Sequence, residues 1–321
     1  MSNLKNISEI FEVKRYLADN RDEWNSFVAK SKQGTFLFDR NYMDYHADRF
    51  LDHSLMVYRK GHLYALLPGN EHEQVFYSHQ GLTYGGLLTT SKATTADIAE
   101  TFKAINGYLH NQGFTTVVYK TIPWIYHELP AEEDLYALTN ICNARILVRH
   151  ISSAIFLNRH IPFNESRKSR IRKALRNGVE VRETNDLSAF WKILDENLEN
   201  KYGAKPVHTL PELCLLKSRF PSNIRLFMAY RGNEALGGTL LYVSRQVVHT
   251  QYISASVEGK AIGVLDLLFD YLINKKSWLE PYFDFGKSSD GDGHDLNASL
   301  IFQKEGFGGR GVCYDWYSYT V

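Results

Sequence analysis

Apolar residues along the chain fall into two spacings that follow one another in the same order twice. In the first half, Asp22–Ala29 and Asn41–Phe50 space them three and four apart, which predicts helices. Ser54–Tyr58 and Leu63–Leu67 follow as strand-like runs across Arg59–His62, a hairpin pattern. Val75–Tyr77, a glycine-rich loop Gly81–Gly86, an amphipathic stretch Ala96–Gln112 and a strand Thr115–Lys120 complete this half. In the second half, Arg225–Tyr230 and Glu234–Tyr242 flank the turn Arg231–Asn233. Val247–Ile253, a small-residue loop, a helix Ile262–Lys276 and a strand Tyr282–Phe285 come after them. The repeat predicts an internal duplication of one α/β unit.

Between the halves lies Ser166–Val181, a basic helix that ends at Asn177-Gly178, where a left-handed cap fits. Strand Val179–Arg182 and a helix around Leu187–Asn200 follow, and the domain boundary is expected near Arg145–Arg159. At the far end, Tyr282–Lys287 reads as a buried strand carrying Asp284 between two aromatics. A polar loop, a short helix and a glycine elbow, Phe302–Arg310, lead to the last strand.

Composition adds bounds rather than chemistry. A length of 321 residues fits two domains of about 100–200 residues each. With 44% hydrophobic and 23% charged residues the chain reads as a soluble globular protein. No apolar run approaches the roughly 20 residues that span a bilayer, and Met1–Asn6 lacks a signal-peptide core, so a cytoplasmic location is expected. Cys142, Cys214 and Cys313 are odd in number and far apart, which argues against disulfides or a Cys-x-x-Cys metal site and predicts buried thiols. A net charge of +1 leaves attraction to polyanions to a local patch, and the basic helix is one.

Four segments in order resemble the FemABX and FemAB-like branch of the GNAT acyltransferases. They are the basic helix running into Gly178–Val181, Lys201–Pro206 after a helix, Tyr282–Gly286, and Lys304–Gly309. The resemblance spans the chain, with its sharper motifs in the second half. It implies an α/β fold of two tandem GNAT-like domains, each a mixed, mostly antiparallel sheet flanked by helices. Residues 1–150 would form the acceptor side and residues 151–321 the donor side. Members of this group transfer acyl or aminoacyl groups to amines.

In GNAT domains the cofactor pyrophosphate lies on backbone N–H groups at a helix start, at the positive end of its dipole. The resemblance therefore places an acyl-CoA donor, acetyl-CoA among them, at Ile253, Ser254, Gly259, Lys260, Ala261 and Gly263. The family pattern is Arg or Gln, two residues, Gly, one residue, Gly or Ala. Here Glu258, Ala261 and Gly263 match it in degraded form, and an acidic first position opposes a pyrophosphate. Small residues there equally suit a helix packed close on a strand, while Lys260 offers a point charge for phosphate.

Acyl transfer needs a neutral amine and a proton for the leaving group. Asp284 is the leading base or acceptor-orienting group, with His249, Tyr252 and His294 behind it. A strand-end carboxylate that caps the Gly286–Ser289 loop is the plainer reading. Lys287, Lys304 and Arg310 are candidates for an anionic substrate, although a lysine near a helix C-terminus also serves the dipole. His79 and Tyr84 lie in an aromatic, glycine-rich loop that suits a sugar or peptide acceptor, or a packed turn. On the basic helix, Arg167–Arg176 either meet the phosphates of an aminoacyl-tRNA or form a solvated face, with Ile171, Ala174 and Leu175 packing inward.

No metal is expected: Asp290–Asp295 departs from the EF-hand pattern, and no His-Glu-x-x-His pair occurs. Gly-x-Ser-x-Gly, Walker and dinucleotide glycine patterns are likewise absent. The expected function is transfer of an acyl group from acyl-CoA to an amino group of a sugar nucleotide or of a small or lipid-linked cell-envelope or polysaccharide precursor. The alternatives are an aminoacyl-tRNA-dependent enzyme acting on a peptidoglycan precursor, which the absence of a long coiled-coil arm disfavours, and a non-catalytic binding protein on the same scaffold.

Overall fold

The computed structural model describes residues 11–202, 205–291 and 293–321. It divides into two compact units, the first taking the described residues up to His150 with Gly291–Asp295 and Cys313–Val321, the second taking Ile151–Asp290 and Leu296–Val312. Met1–Asn6, Gly203, Ala204 and Asp292, parts of segments singled out above, lie outside the described residues.

The first unit holds strands β1 (Phe11–Arg15), β2 (Leu51–Asp52), β3 (Leu55–Arg59), β4 (His62–Leu67), β5 (Asn70–His72), β6 (Val75–Tyr77), β7 (Leu88–Thr89) and β8 (Thr116–Lys120). Its helices are α1 (Arg21–Val28), α2 (Arg40–Met43), α3 (Thr95–Asn111) and α4 (Glu133–Asn140). One sheet runs β1-β3-β4-β7 and is antiparallel throughout; β3 and β4 form the expected hairpin, with Lys60 and Gly61 both at positive φ. The last strand, Arg310–Thr320, pairs antiparallel with β8, and β8 pairs parallel with β6 through the crossover helix α3. Thr94 caps α3 by accepting from the Asp97 amide, and Ile98, Phe102, Ile105 and Leu109 on one helix face enter the core.

Strand β9 (Arg145–Phe156) leads into the second unit. There β10 (Val179–Thr184), β11 (Ile224–Arg231), β12 (Glu234–Val243), β13 (Val247–Ala255) and β14 (Tyr282–Lys287) lie in that order, and Ser152–Phe156 of β9 pairs beyond β14. All neighbours are antiparallel except β13 and β14. The helices are α5 (Glu165–Arg176), α6 (Leu187–Tyr202), α7 (Leu210–Arg219), α8 (Val257–Ile262), α9 (Val264–Asp270), followed by one π-helical turn Tyr271–Lys275, and α10 (Ala298–Gly306). α9 packs on β11 and β12, α5 packs on α9, and α6 packs on β12 and β13. Each unit is therefore a mixed, mostly antiparallel α/β layer structure with one parallel pair spanned by a helix.

Within Arg145–Arg159 the division between the units falls inside a strand, at His150–Ile151 of β9, which occupies most of the range and pairs with β14. Several expectations are corrected. The cut after residue 150 misplaces the end of the chain, since Trp316–Thr320 pairs with β8 and so belongs to the first unit. The helix expected over Asn41–Phe50 is only α2 and a 3-10 turn, as Tyr42, Tyr45, His46 and Phe50 pack edge to edge instead of along one face. Ile262–Lys276 breaks at Gly263, where φ is +86° and an added Cβ would stand 2.8 Å from the Arg170 carbonyl oxygen. Leu175 is exposed, leaving Ile171 and Ala174 as the buried face of α5. Only Cys142 is a buried thiol; Cys214 and Cys313 are exposed.

Candidate active site

The parallel pair β13–β14 lasts three rungs, Val247↔Tyr282, Val248↔Phe283 and His249↔Asp284. Beyond them β13 continues to Ala255 and β14 to Lys287 without further pairing. Both strands change course here. The ladder between β12 and β13 passes from Leu241↔Thr250 to Leu240↔Tyr252, leaving Gln251 as the extra residue of a bulge. β14 turns at Gly286, at φ +73°. The strands part, and a cavity of about 250 Å³ opens beside Ile253, Ala255 and Phe285, closed by α6, α9 and α10.

At the last rung, Asp284 is fully buried. Its carboxylate accepts from the Ser152 hydroxyl, from the Gly286 amide at 3.1 Å and from His249 Nδ1 at 2.9 Å. Each buried lone pair so used offsets the desolvation cost of the charge. With Nδ1–H donating to the carboxylate, His249 holds the tautomer whose Nε2 carries a lone pair. The His249 side chain keeps 11% of its surface exposed. A Cβ on residue 286 would lie 3.2 Å from His249 Cε1, so glycine keeps the imidazole clear. The imidazole is thus oriented by a buried carboxylate.

Lys304, on α10, is also buried, and its Nζ donates to the carbonyls of Gly286 at 2.8 Å and Lys287 at 2.9 Å. An ammonium has three donors, so one remains beyond these two, and Lys304 lines the cavity. Burial pulls its pKa down to about 8, against the opposing pull of Asp284. Burial likewise lowers Lys287. Asn197 of α6 steadies the outer end of the cavity by donating to Ser254 Oγ and the Ala255 carbonyl, each at 2.7 Å, and by accepting from Lys260 Nζ.

A second cavity of about 360 Å³ adjoins the first, with Lys260, Leu265 and Gln303 on both walls. Arg167, Arg170 and Lys260 face it with one carboxylate, Asp266, an excess of two positive charges that fits an anion. Asp266 is buried and takes Arg167 Nη1 at 2.7 Å and Arg170 Nε at 2.8 Å. Lys173 donates to the Ala261 carbonyl at 3.0 Å, completing one face of α5 spent on α8 and α9. Glu258 is drawn to Arg231 at 2.7 Å, which neutralises the acidic position that the sequence set against a phosphate. Gly259 is small for packing, since a Cβ would meet the Leu236 oxygen at 2.2 Å, and its amide donates to the capping Ser256 hydroxyl at 3.0 Å.

The structure thus brings Asp284, His249, Lys287, Lys304, Ile253, Ser254, Lys260 and Gly263 around one pair of strands. Tyr252 turns elsewhere, its hydroxyl 2.7 Å from His208 Nδ1. In the first unit His79 and Tyr84 are interior. Tyr84 donates to Thr35 Oγ1 at 3.1 Å and its ring lies 4.5 Å from that of Tyr126, so no face is offered to a sugar. Burial, with His46 nearby, takes His79 down to about 3 and keeps it neutral. Ser152 and Asn197 went unnoticed in the sequence, Ser152 because its strand is not among those expected from the apolar spacing. Among the described residues no cluster of three His, Cys, Asp or Glu could hold a metal.

No protein-family model matches the chain, and no curated protein sequence does either. Solved structures do. FemX shares 10% identity over 97% of both chains, with a TM-score of 0.65. The fold is FemABX-like, of the GNAT kind. L-PGS from Bacillus licheniformis is similar at 11% identity over 95% of this chain and 92% of its own, with a TM-score of 0.59. A conserved protein of unknown function from Bacteroides thetaiotaomicron VPI-5482 is similar at 10% identity over 97% and 100%, with a TM-score of 0.60. In this FemABX-like chain no described helix is long and apolar enough to cross a membrane.

Proposed function

We propose that the chain transfers an acyl group from a CoA thioester to the amino group of a small or lipid-linked acceptor, a sugar nucleotide or cell-envelope precursor in the cytoplasm. The observation that carries this reading is the cavity between the parted strands, which opens past the His249↔Asp284 rung and has Lys304 in its wall. The amine nitrogen attacks the thioester carbonyl, and its proton passes to His249 Nε2. As the C–N bond forms, the remaining donor of Lys304 answers the charge on the carbonyl oxygen. The C–S bond then breaks and the thiolate leaves protonated from the imidazolium, so atoms and charge balance. The excess positive charge of the adjoining cavity supports phosphate binding there, through Lys260 with Arg167 and Arg170.

One observation favours a second reading. Lys168, Arg172 and Arg176 lie on the exposed side of α5, away from Asp266, where an aminoacyl-tRNA could be met. Calorimetry separates the two. Heat with CoA thioesters and thiol release with an amine support the first. Salt-dependent tRNA binding lost in Arg172→Glu with Arg176→Glu supports the second, and binding of neither donor leaves a non-catalytic protein. Arg170 is unsuitable for that test, because its loss would remove one of the two cationic partners of buried Asp266.

A further inference from the structure

We infer that the cavity between β13 and β14 selects an uncharged hydrocarbon acyl chain longer than acetyl, and rejects acyl groups that carry an ammonium. The inference rests on the acyl-transfer reading and narrows it. A volume of about 250 Å³ exceeds what acetyl fills, since acetyl brings only three non-hydrogen atoms. Much of the wall is apolar: Leu198 from α6, Leu265 and Phe269 from α9, Phe285 from β14, and Leu300 and Phe307 from the last helix and its elbow.

The charged groups decide what else is excluded. Lys260 and Lys304 line the cavity, and among the described residues no carboxylate does. The two nearest acids are committed, Asp284 to Ser152, His249 and the Gly286 amide, and Asp266 to Arg167 and Arg170. A lysyl side chain, or the α-ammonium of any aminoacyl group, would thus meet like charge with no carboxylate in the described lining to pair with it. A plain hydrocarbon chain needs none. Each methylene that reaches these walls should tighten binding about fourfold.

Calorimetry on the full chain with acetyl-, hexanoyl- and 6-aminohexanoyl-CoA tests this, because the CoA arm is common to all three. Hexanoyl-CoA is expected to bind about tenfold or more tighter than acetyl-CoA, and tighter than its amino analogue by a similar factor. Leu198→Trp and Leu300→Trp fill the cavity from two different helices, and each should collapse the hexanoyl-to-acetyl ratio toward one, with thermal melts showing that both fold. Equal affinities across chain length, or an amino analogue as tight as hexanoyl, overturn the inference while leaving acyl transfer standing. If no CoA thioester binds, saturation-transfer NMR with acetamide, hexanamide and 6-aminohexanamide decides. Binding of hexanamide alone, lost in both Trp variants, sustains the cavity's preference and removes CoA as donor; silence from hexanamide overturns the preference too.

Discussion

Both units contain two parallel strands bridged by a helix, and the two pairs end in opposite ways. In the first unit β6 and β8 stay joined past their last rung. The Ser78 amide donates to the Val118 carbonyl at 2.9 Å, the Lys120 amide donates to Ser78 Oγ at 2.7 Å, and a Cβ on Gly85 would stand 1.8 Å from the Ser78 oxygen. In the second unit β13 and β14 separate after three rungs. Each end carries a buried lysine on two carbonyls. Lys120 Nζ donates to Gln80 and Leu82, both at 3.0 Å, under the Trp316 ring; Lys304 Nζ donates to Gly286 and Lys287 beside a cavity. The same buried ammonium closes a core in one place and lines a cavity in the other. What differs is whether the ladder continues.

The largest expected effect is on the open pair. Asp284→Asn keeps the shape and removes the charge, and should lower kcat/KM for amide formation about 10²–10⁴-fold, as should His249→Gln. The double variant should be little worse than the poorer single, because the two act as a unit. Full activity in Asp284→Asn would leave the carboxylate a structural cap. Lys304→Met should cost about 10²–10³-fold in rate, whereas Lys120→Met should spare the rate and lower Tm by stranding two carbonyls at about 1–3 kcal/mol each. A rate loss confined to Lys120→Met would dissolve the contrast between the pairs.

Lys304 also gives a pH signature. The ammonium that answers the oxyanion deprotonates as pH rises through about 8, so the rate should fall there, and Lys304→Arg should carry the falling limb to higher pH. Among the glycines, Gly85→Ala should destabilise by about 3 kcal/mol or more, because backbone must move. Gly286→Ala should cost about 1–2 kcal/mol for its positive φ and disturb His249. The smallest effect is a slope. His79 and His127 sit at about 3 and about 4 in the folded first unit, lowered chiefly by burial, against about 6.5 unfolded. The unfolded chain therefore gains protons first as pH falls, so stability is whole above pH 6.5 and declines toward pH 4. Near-UV circular dichroism during acid titration should show this, with a shallower decline in His79→Gln.

Much of this architecture is legible in the residues. The β3–β4 hairpin, the capped α5 with Asn177-Gly178, and the Asp284 strand follow from local spacing and turn chemistry. α7 was equally readable, with Thr209 and Glu212 forming a capping box and Pro211 in the first turn, and passed unnoticed. Other features depend on partners distant in sequence. β9 is masked by Arg145 and Arg149 on its exposed positions, which hid Ser152. The break at Gly263 is imposed by the Arg170 carbonyl, and half the cations of α5 are consumed by Asp266 and helix carbonyls, which no helical wheel of α5 reveals. Tyr84 is interior because Thr35 and Tyr126 surround it.

The bulge at Gln251 gives this protein an unusual tolerance in chain length. Rungs from Leu241 to Thr250 and from Leu240 to Tyr252 place His249, Tyr252 and Ser254 on one side of β13 and Val248, Thr250, Ile253 and Ala255 on the other. Excising Gln251 would restore unbroken alternation with every remaining side chain on its present side. The core could not register the loss, yet a straightened β13 would be free to zip onto β14 and seal the gap. A single-codon deletion should thus separate folding from function, giving a normal melt and no transfer.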